Sequence, residues 1–165
     1  MKRLLSTMRC DVRLQWRNGF YYASLFVAVL FIIVVQQLPQ GDWRRLWPGM
    51  ILENLVISTF YFMSGLVLLE KGQGTLEAQV VTPLRPGEYL ASKTVTLAGL
   101  AVVETLVMVL VTVGFGFNPL PLVGGILMMA GIYALYGFVV VARYDAINEF
   151  LLPSAVWTLF FSVAL

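Results

Sequence analysis

Residues 70–93 read EKGQGTLEAQVVTPLRPGEYLASK, the longest polar-rich stretch between two strongly apolar ones. Gly72 and Gly74 interrupt the apolar run that ends at Leu69. Thr75, or Gly74, suits the cap of a new helix, because a short side-chain oxygen or a backbone free of Cβ fits that position. Glu77 then falls in the first turn, where a negative charge meets the helix N-terminus favourably. Pro83 biases Thr82 away from helical angles, so the helix is confined to about 75–82. At 1.5 Å per residue that is a rod of roughly 12 Å, with Leu76 and Val80 on one face. Pro86 fits the first position of a second helix, where its missing N–H has no helical partner anyway. Glu88 falls in that helix's first turn. Two readings are open: a solvated connection, or a loop on which another protein pushes. A plain connection needs only a few residues, and this one has 24. A two-turn helix is marginal alone, so Leu76, Val80 and Val81 need a surface to lie against.

Outward from this loop the chain is apolar in both directions. It has 165 residues, 59% hydrophobic and 12% charged, with mean hydropathy +0.84. A soluble domain is about 45–50% apolar and about 25% charged, so the membrane is the natural solvent for this chain. The expected fold is all-α, a polytopic bundle in a single transmembrane domain. Spans are expected at 20–38, 50–69, 94–115 and 122–141, each near the roughly 20 residues needed to cross. Residues 150–165 read as the start of a fifth span, so the chain is expected to be C-terminally incomplete. Residues 39–49, with Trp43 and Trp47, read as a loop carrying an interfacial aromatic pair. Residues 114–121 and 142–149 read as turns.

Residues 1–19 read as an amphipathic interfacial helix. Leu4, Met8, Val12 and Trp16 recur every four residues, with Met1 and Leu5 beside them. Arg9, Arg13 and Arg17 run parallel to that face and suit lipid phosphates. Leu14 falls off the apolar face. A merely basic flank for the first span is the plainer alternative. The N-terminal segment holds five Lys and Arg, the 70–93 loop three and the 142–149 loop one, against two and none in the intervening loops. Nine against two predicts a cytoplasmic N-terminus and a cytoplasmic 70–93 loop. The expected location is the plasma membrane.

The 70–93 loop resembles the coupling-helix loop of ABC-2-type transporter permeases, in the drug or fluoroquinolone export branch. The resemblance is carried by Glu70-Lys71, Gly74-Thr75-Leu76-Glu77, Val81-Thr82-Pro83-Leu84-Arg85-Pro86, Glu88-Tyr89-Leu90 and Lys93. It implies a permease subunit of an ATP-binding-cassette exporter. It implies that Gly74, Thr75, Leu76, Glu77, Pro83, Leu84, Arg85, Pro86 and Glu88 couple the chain to a separate ATPase subunit. A second permease half, a homodimer mate or paralogue, is implied too, as are six spans per half and an N-terminal elbow helix at 1–19.

Inside the expected spans three polar residues stand out. Glu104 lies about ten residues into its span, near mid-bilayer in a core of about 30 Å. It reads as a substrate or proton contact, or as a helix-packing hydrogen bond. Glu53 and Asn54 are expected a turn from the outer interface, as interface residues or as part of a translocation path. Gly124, Gly125, Gly131 and Gly137 with Ala130 and Ala134 permit close helix approach.

Other chemistry is sparse. Cys10 is the only cysteine and there is no histidine, so an intrachain disulfide, most zinc sites and His-based catalysis are excluded. No Gly-rich loop ending in Gly-Lys-Ser/Thr occurs, so ATP hydrolysis is expected on another subunit. No cofactor or metal is expected, and a net charge of +2 is too small to point to nucleic acid. Two further functions stay open: an intramembrane lipid-modifying enzyme using Glu104, Glu53 and Asp145, and a structural membrane protein without transport activity.

Overall fold

The computed structural model describes residues 2–37, 43–75 and 85–163. Among these residues there are helices and no strand. We label them α1 (Lys2–Arg17), α2 (Phe20–Gln37), α3 (Trp43–Leu55), a π-turn (Val56–Tyr61), α4 (Phe62–Gly72), α5 (Pro86–Val113), α6 (Pro119–Val141) and α7 (Ile147–Val163). Helical backbone angles at Leu55 and Phe62 make α3, the π-turn and α4 one continuous rod. Among the described residues four helices are long and apolar enough to cross a membrane: Phe20–Gln37, Leu46–Gly72, Pro86–Val113 and Pro119–Val141. The chain is therefore an all-α, multi-pass helical membrane protein.

The rod is the centre of the bundle. In its most apolar window 67% of residues are buried within the protein, against 17% in α2. Tyr22, Leu25, Phe26 and Ile33 of α2 are exposed. A helix apolar all round and uncovered by protein is stable only when lipid covers it. The packed core joins Leu55, Phe60, Met63 and Leu66 of the rod to Leu97 and Ala101 of α5 and to Ile126, Ala130 and Ala134 of α6.

Several expected boundaries are corrected. The segment expected as a loop at 39–49 is helical from Trp43 onward, and 38–42 lie outside the described residues. Trp47 is not an interfacial loop residue but packs near Met108 and Val109 of α5. Pro48 lies inside α3, past its first turn, and the helix continues through it. The 70–93 loop is shorter than expected. α4 runs to Gly72 and α5 begins at Pro86, which leaves a connection over 73–85. The 114–121 turn is also shorter, because Asn118 caps α6 by accepting the Leu120 N–H at 3.3 Å.

Leu14 has a physical explanation. Thr7, Asp11, Leu14 and Gln15 recur at spacings that share a helix face, and that face turns inward. Asp11 and Gln15 are buried, and Leu14 packs on the core. Leu5, Val12 and Trp16 remain exposed, as a helix lying in a headgroup layer requires. α1 thus has two working faces, and only the outer one reads as amphipathic. Gly19 ends the helix at φ +79°, in the left-handed region, and the Gly19 N–H donates to the Trp16 carbonyl at 3.2 Å. Trp16 then meets Tyr21 and Tyr22 with ring centroids 5.5 and 6.0 Å away.

The π-turn and α6 approach at backbone distance. A Cβ added at Gly137 would stand 2.7 Å from the Phe60 carbonyl oxygen. Ser64 Oγ donates to the Phe60 carbonyl at 2.8 Å and reaches the Gly137 carbonyl at 3.3 Å. The clash is with backbone, which cannot rotate away. Gly137→Ala is expected to destabilise the bundle by about 1–3 kcal/mol, the usual cost of overpacking. Thermal unfolding in detergent checks this, and an unchanged midpoint would contradict the close crossing. Gly125→Ala, where no neighbour stands within 4 Å, is the control.

Candidate functional site

The most unusual chemistry lies where the rod and α5 approach the 73–85 connection. Lys93, seven residues into α5, has no exposed surface. Its ammonium donates to Glu70 Oε1 at 2.6 Å and to Asp11 Oδ1 at 3.0 Å. Tyr89, one helical turn before Lys93, donates its hydroxyl to Glu70 Oε2 at 2.6 Å. Ser92 Oγ donates to Asp11 Oδ2. The Tyr89 ring also lies 4.8 Å from the Lys93 ammonium. Gln15 adds a further tie from α1 to α5, donating to Thr96 Oγ1 at 3.0 Å. One ammonium thus faces two carboxylates, and each carboxylate oxygen receives a donor. Charges buried this deeply persist only when paired and hydrogen-bonded. Three elements share the junction: α1 through Asp11, α4 through Glu70 and α5 through Lys93.

The next residue of α4 ties in a fourth. Lys71 Nζ donates to the Tyr144 carbonyl at 2.6 Å, to the Ala142 carbonyl at 3.3 Å and to Asp145 Oδ1 at 3.3 Å. The two carbonyls lie just past α6, where a cation satisfies orphan acceptors and meets the negative helix end. Asp145 is 94% exposed, so that ion pair alone adds little. Consecutive residues at the end of α4 therefore hold α1 and α5 on one side and the α6–α7 turn on the other.

The expected site residues fall into three sets. Gly74 closes the rod at φ +67°, the left-handed conformation that glycine adopts after a helix, and its N–H donates to the Lys71 carbonyl at 3.1 Å. Thr75 is helical, and its Oγ1 donates back to the Glu70 carbonyl at 3.0 Å. Leu76, Glu77, Pro83 and Leu84, with most of the expected 75–82 helix, lie outside the described residues. Arg85 is extended at φ −76° and ψ 141°, and Pro86 opens α5 behind it. The Glu88 carboxylate accepts the Arg85 N–H at 3.3 Å, one half of a capping box. The ends of the connection are thus anchored on Glu70, Tyr89 and Lys93.

Within the spans, Glu104 is buried, and Ser24, Asn54 and Ser58 are the polar side chains that act on its carboxyl. Asn54, expected near an interface, is enclosed by the bundle. Because the rod begins at Trp43, Asn54 lies about 16 Å along it at 1.5 Å per residue, and it is fully buried. Glu53 is half-buried and within electrostatic reach of Tyr133 on α6. Glu53, Glu104 and Asp145 do not form one acidic cluster: Asp145 is held at Lys71, and no group of three acidic or other metal-binding side chains occurs among the described residues.

A search of known families matches residues 2–165 to the fluoroquinolones export permease protein family. The chain belongs to that family. Two fluoroquinolones export permease proteins from strains of Mycobacterium tuberculosis are each 30% identical to it over 156 residues, which is 94% of this chain. The aligned region spans 66% of the length of those relatives. No solved structure matches.

In this member of the permease family the junction was not among the residues that the sequence singled out. The sequence alone gives Asp11 no role, and Glu70, Tyr89 and Lys93 enter only as parts of the loop motif, not as partners. The available signal was a pairing of opposite charges at the facing ends of two consecutive apolar runs, with Asp11 and Gln15 on the side of α1 that carries Leu14.

Proposed function

We propose that the chain is the membrane-spanning permease subunit of an ATP-binding-cassette exporter for fluoroquinolone-type drugs. A separate ATPase subunit engages the 73–85 connection, and a second permease half completes the path. The N-terminus and the connection face the cytoplasm, and the membrane is the plasma membrane. The observation that carries this reading is the Asp11–Glu70–Lys93 junction. It ties both ends of the connection to α1, and Lys71 beside it ties the same point to the α6–α7 turn. Force applied to the connection therefore reaches four elements through short charge-assisted bonds, which are stronger than neutral ones. Alternating access by rigid movement of helices needs such a bearing point. Family membership supports the drug cargo. So does an apolar pocket of about 500 Å³ among Trp47, Ile51, Val109 and Phe117, at the other end of the bundle.

The test is co-purification of an ATPase with the intact chain and with a variant in which 73–85 is replaced by a Gly/Ser linker of equal length. The junction residues stay in place in that variant. The intact chain is expected to retain the ATPase and the linker variant to lose it. Equal retention by both would refute the docking role of the connection.

A further inference from the structure

About halfway along the rod a second polar cluster lies far from the junction. α5 contributes Glu104, the rod Asn54 and Ser58, and α2 Ser24, all buried. Both Glu104 oxygens and both polar atoms of the Asn54 side chain are buried and close no hydrogen bond of good geometry, although Ser24, Asn54 and Ser58 stand near enough to act on the carboxyl. No described Lys or Arg pairs with Glu104. The nearest other carboxyl on the rod, Glu53, is engaged with Tyr133 of α6. A bare carboxylate at mid-bilayer costs at least roughly 2.5–3.5 kcal/mol, and an unsatisfied buried amide adds about 1–3 kcal/mol. A structure that bears both must gain something that neutralises them.

The donor set indicates what that is. Two carboxyl oxygens, an amide oxygen and two hydroxyl oxygens are hard ligands, suited to a hard cation and not to a soft metal. One carboxylate balances one positive charge. Ser58 donates its own proton to the Asn54 backbone carbonyl at 2.9 Å, which leaves its oxygen able to accept. The π-turn starts two residues after Asn54. Helices depart from α-geometry in this way most often at functional sites, and distorted spans are where transporters place ion sites. We propose that Glu104, Asn54, Ser24 and Ser58 form a site for one monovalent cation, a proton or a sodium ion, inside the membrane span. The site needs no ATPase and no cargo, so its test is separate from that of the export reading.

The full chain in phosphatidylcholine nanodiscs is measured in two ways: equilibrium binding of radioactive sodium, and infrared absorption of protonated carboxyl groups across a pH series. Binding of one sodium per chain, abolished in Glu104→Gln, assigns sodium. No sodium binding, with a protonated-carboxyl band that Glu104→Gln removes and alkaline pH titrates, assigns the proton. An ionised Glu104 with no sodium bound overturns the proposal, as does equal sodium binding by Glu104→Gln. Should Glu104→Gln fail to insert, Ser58→Ala leaves the carboxyl in place. It is expected to weaken sodium binding about tenfold, or to move the titration by about one pH unit, the scale of one ligand contact. No change in either quantity also overturns the proposal.

Discussion

Lys93→Met is expected to destabilise the bundle by about 3–5 kcal/mol, the usual result of removing one partner from a buried ion pair. The substitution keeps most of the apolar stem but leaves Asp11 and Glu70 as buried carboxylates without a cation. It also removes two hydrogen bonds from a residue that has no exposed surface. The partner substitution sharpens the test. A triple variant, Asp11→Asn with Glu70→Gln and Lys93→Met, takes all three charges away together. Neutral replacement of a whole buried network costs far less than breaking it, so the triple variant is expected to recover most of the lost stability. Unfolding of the detergent-solubilised chain, followed by tryptophan fluorescence, reads both. A Lys93→Met variant that unfolds with the wild-type midpoint would show that the junction contributes nothing to stability.

Substitutions in the connection are expected to act in the opposite way, on transport and not on folding. Glu77→Lys reverses a charge in the expected 75–82 helix, and Leu84→Asp puts a charge beside Pro83. Both positions fall in sequence between the rod and α5, and neither is a junction residue. Insertion and unfolding should match the unaltered chain. On the proposed function, drug efflux from vesicles containing the permease and an ATPase partner should fall to background, and hydrolysis should no longer respond to drug. Efflux at the original rate in both variants would remove the connection from the mechanism.

The spans were legible because composition alone forbids any other solvent for them, and Pro86 and Glu88 marked the start of α5 by ordinary cap chemistry. Helix ends were less legible. Trp43 to Gly49 contains arginine, tryptophan and proline, which read as interfacial loop, yet packing of Trp47 beside Met108 and Val109 holds the segment in the rod. That misplaced start made Asn54 look superficial, although the fold sets it at the depth of Glu104. The junction was hidden for a different reason. A sequence shows that Asp11, Glu70 and Lys93 are charged, but only the packing of α1 and α4 against α5 shows that they meet. The π-turn had no marker at all. Ser58 and Thr59 hydroxyls satisfy the Asn54 and Leu55 carbonyls that a wider turn releases, and serine and threonine do the same in ordinary helices.

The same triple variant also tests the central claim, that the junction relays movement and does not only hold helices together. Because it is expected to fold and to keep the 73–85 connection, it should still bind the ATPase. The decisive quantity is ATP hydrolysed per drug molecule exported, measured in vesicles of defined lipid with both subunits present. A relay through Asp11, Glu70 and Lys93 predicts hydrolysis near the unaltered rate with export reduced toward background, so the ratio rises steeply. An unchanged ratio, with efflux and hydrolysis both preserved, would contradict the relay and leave the three charges a purely structural role.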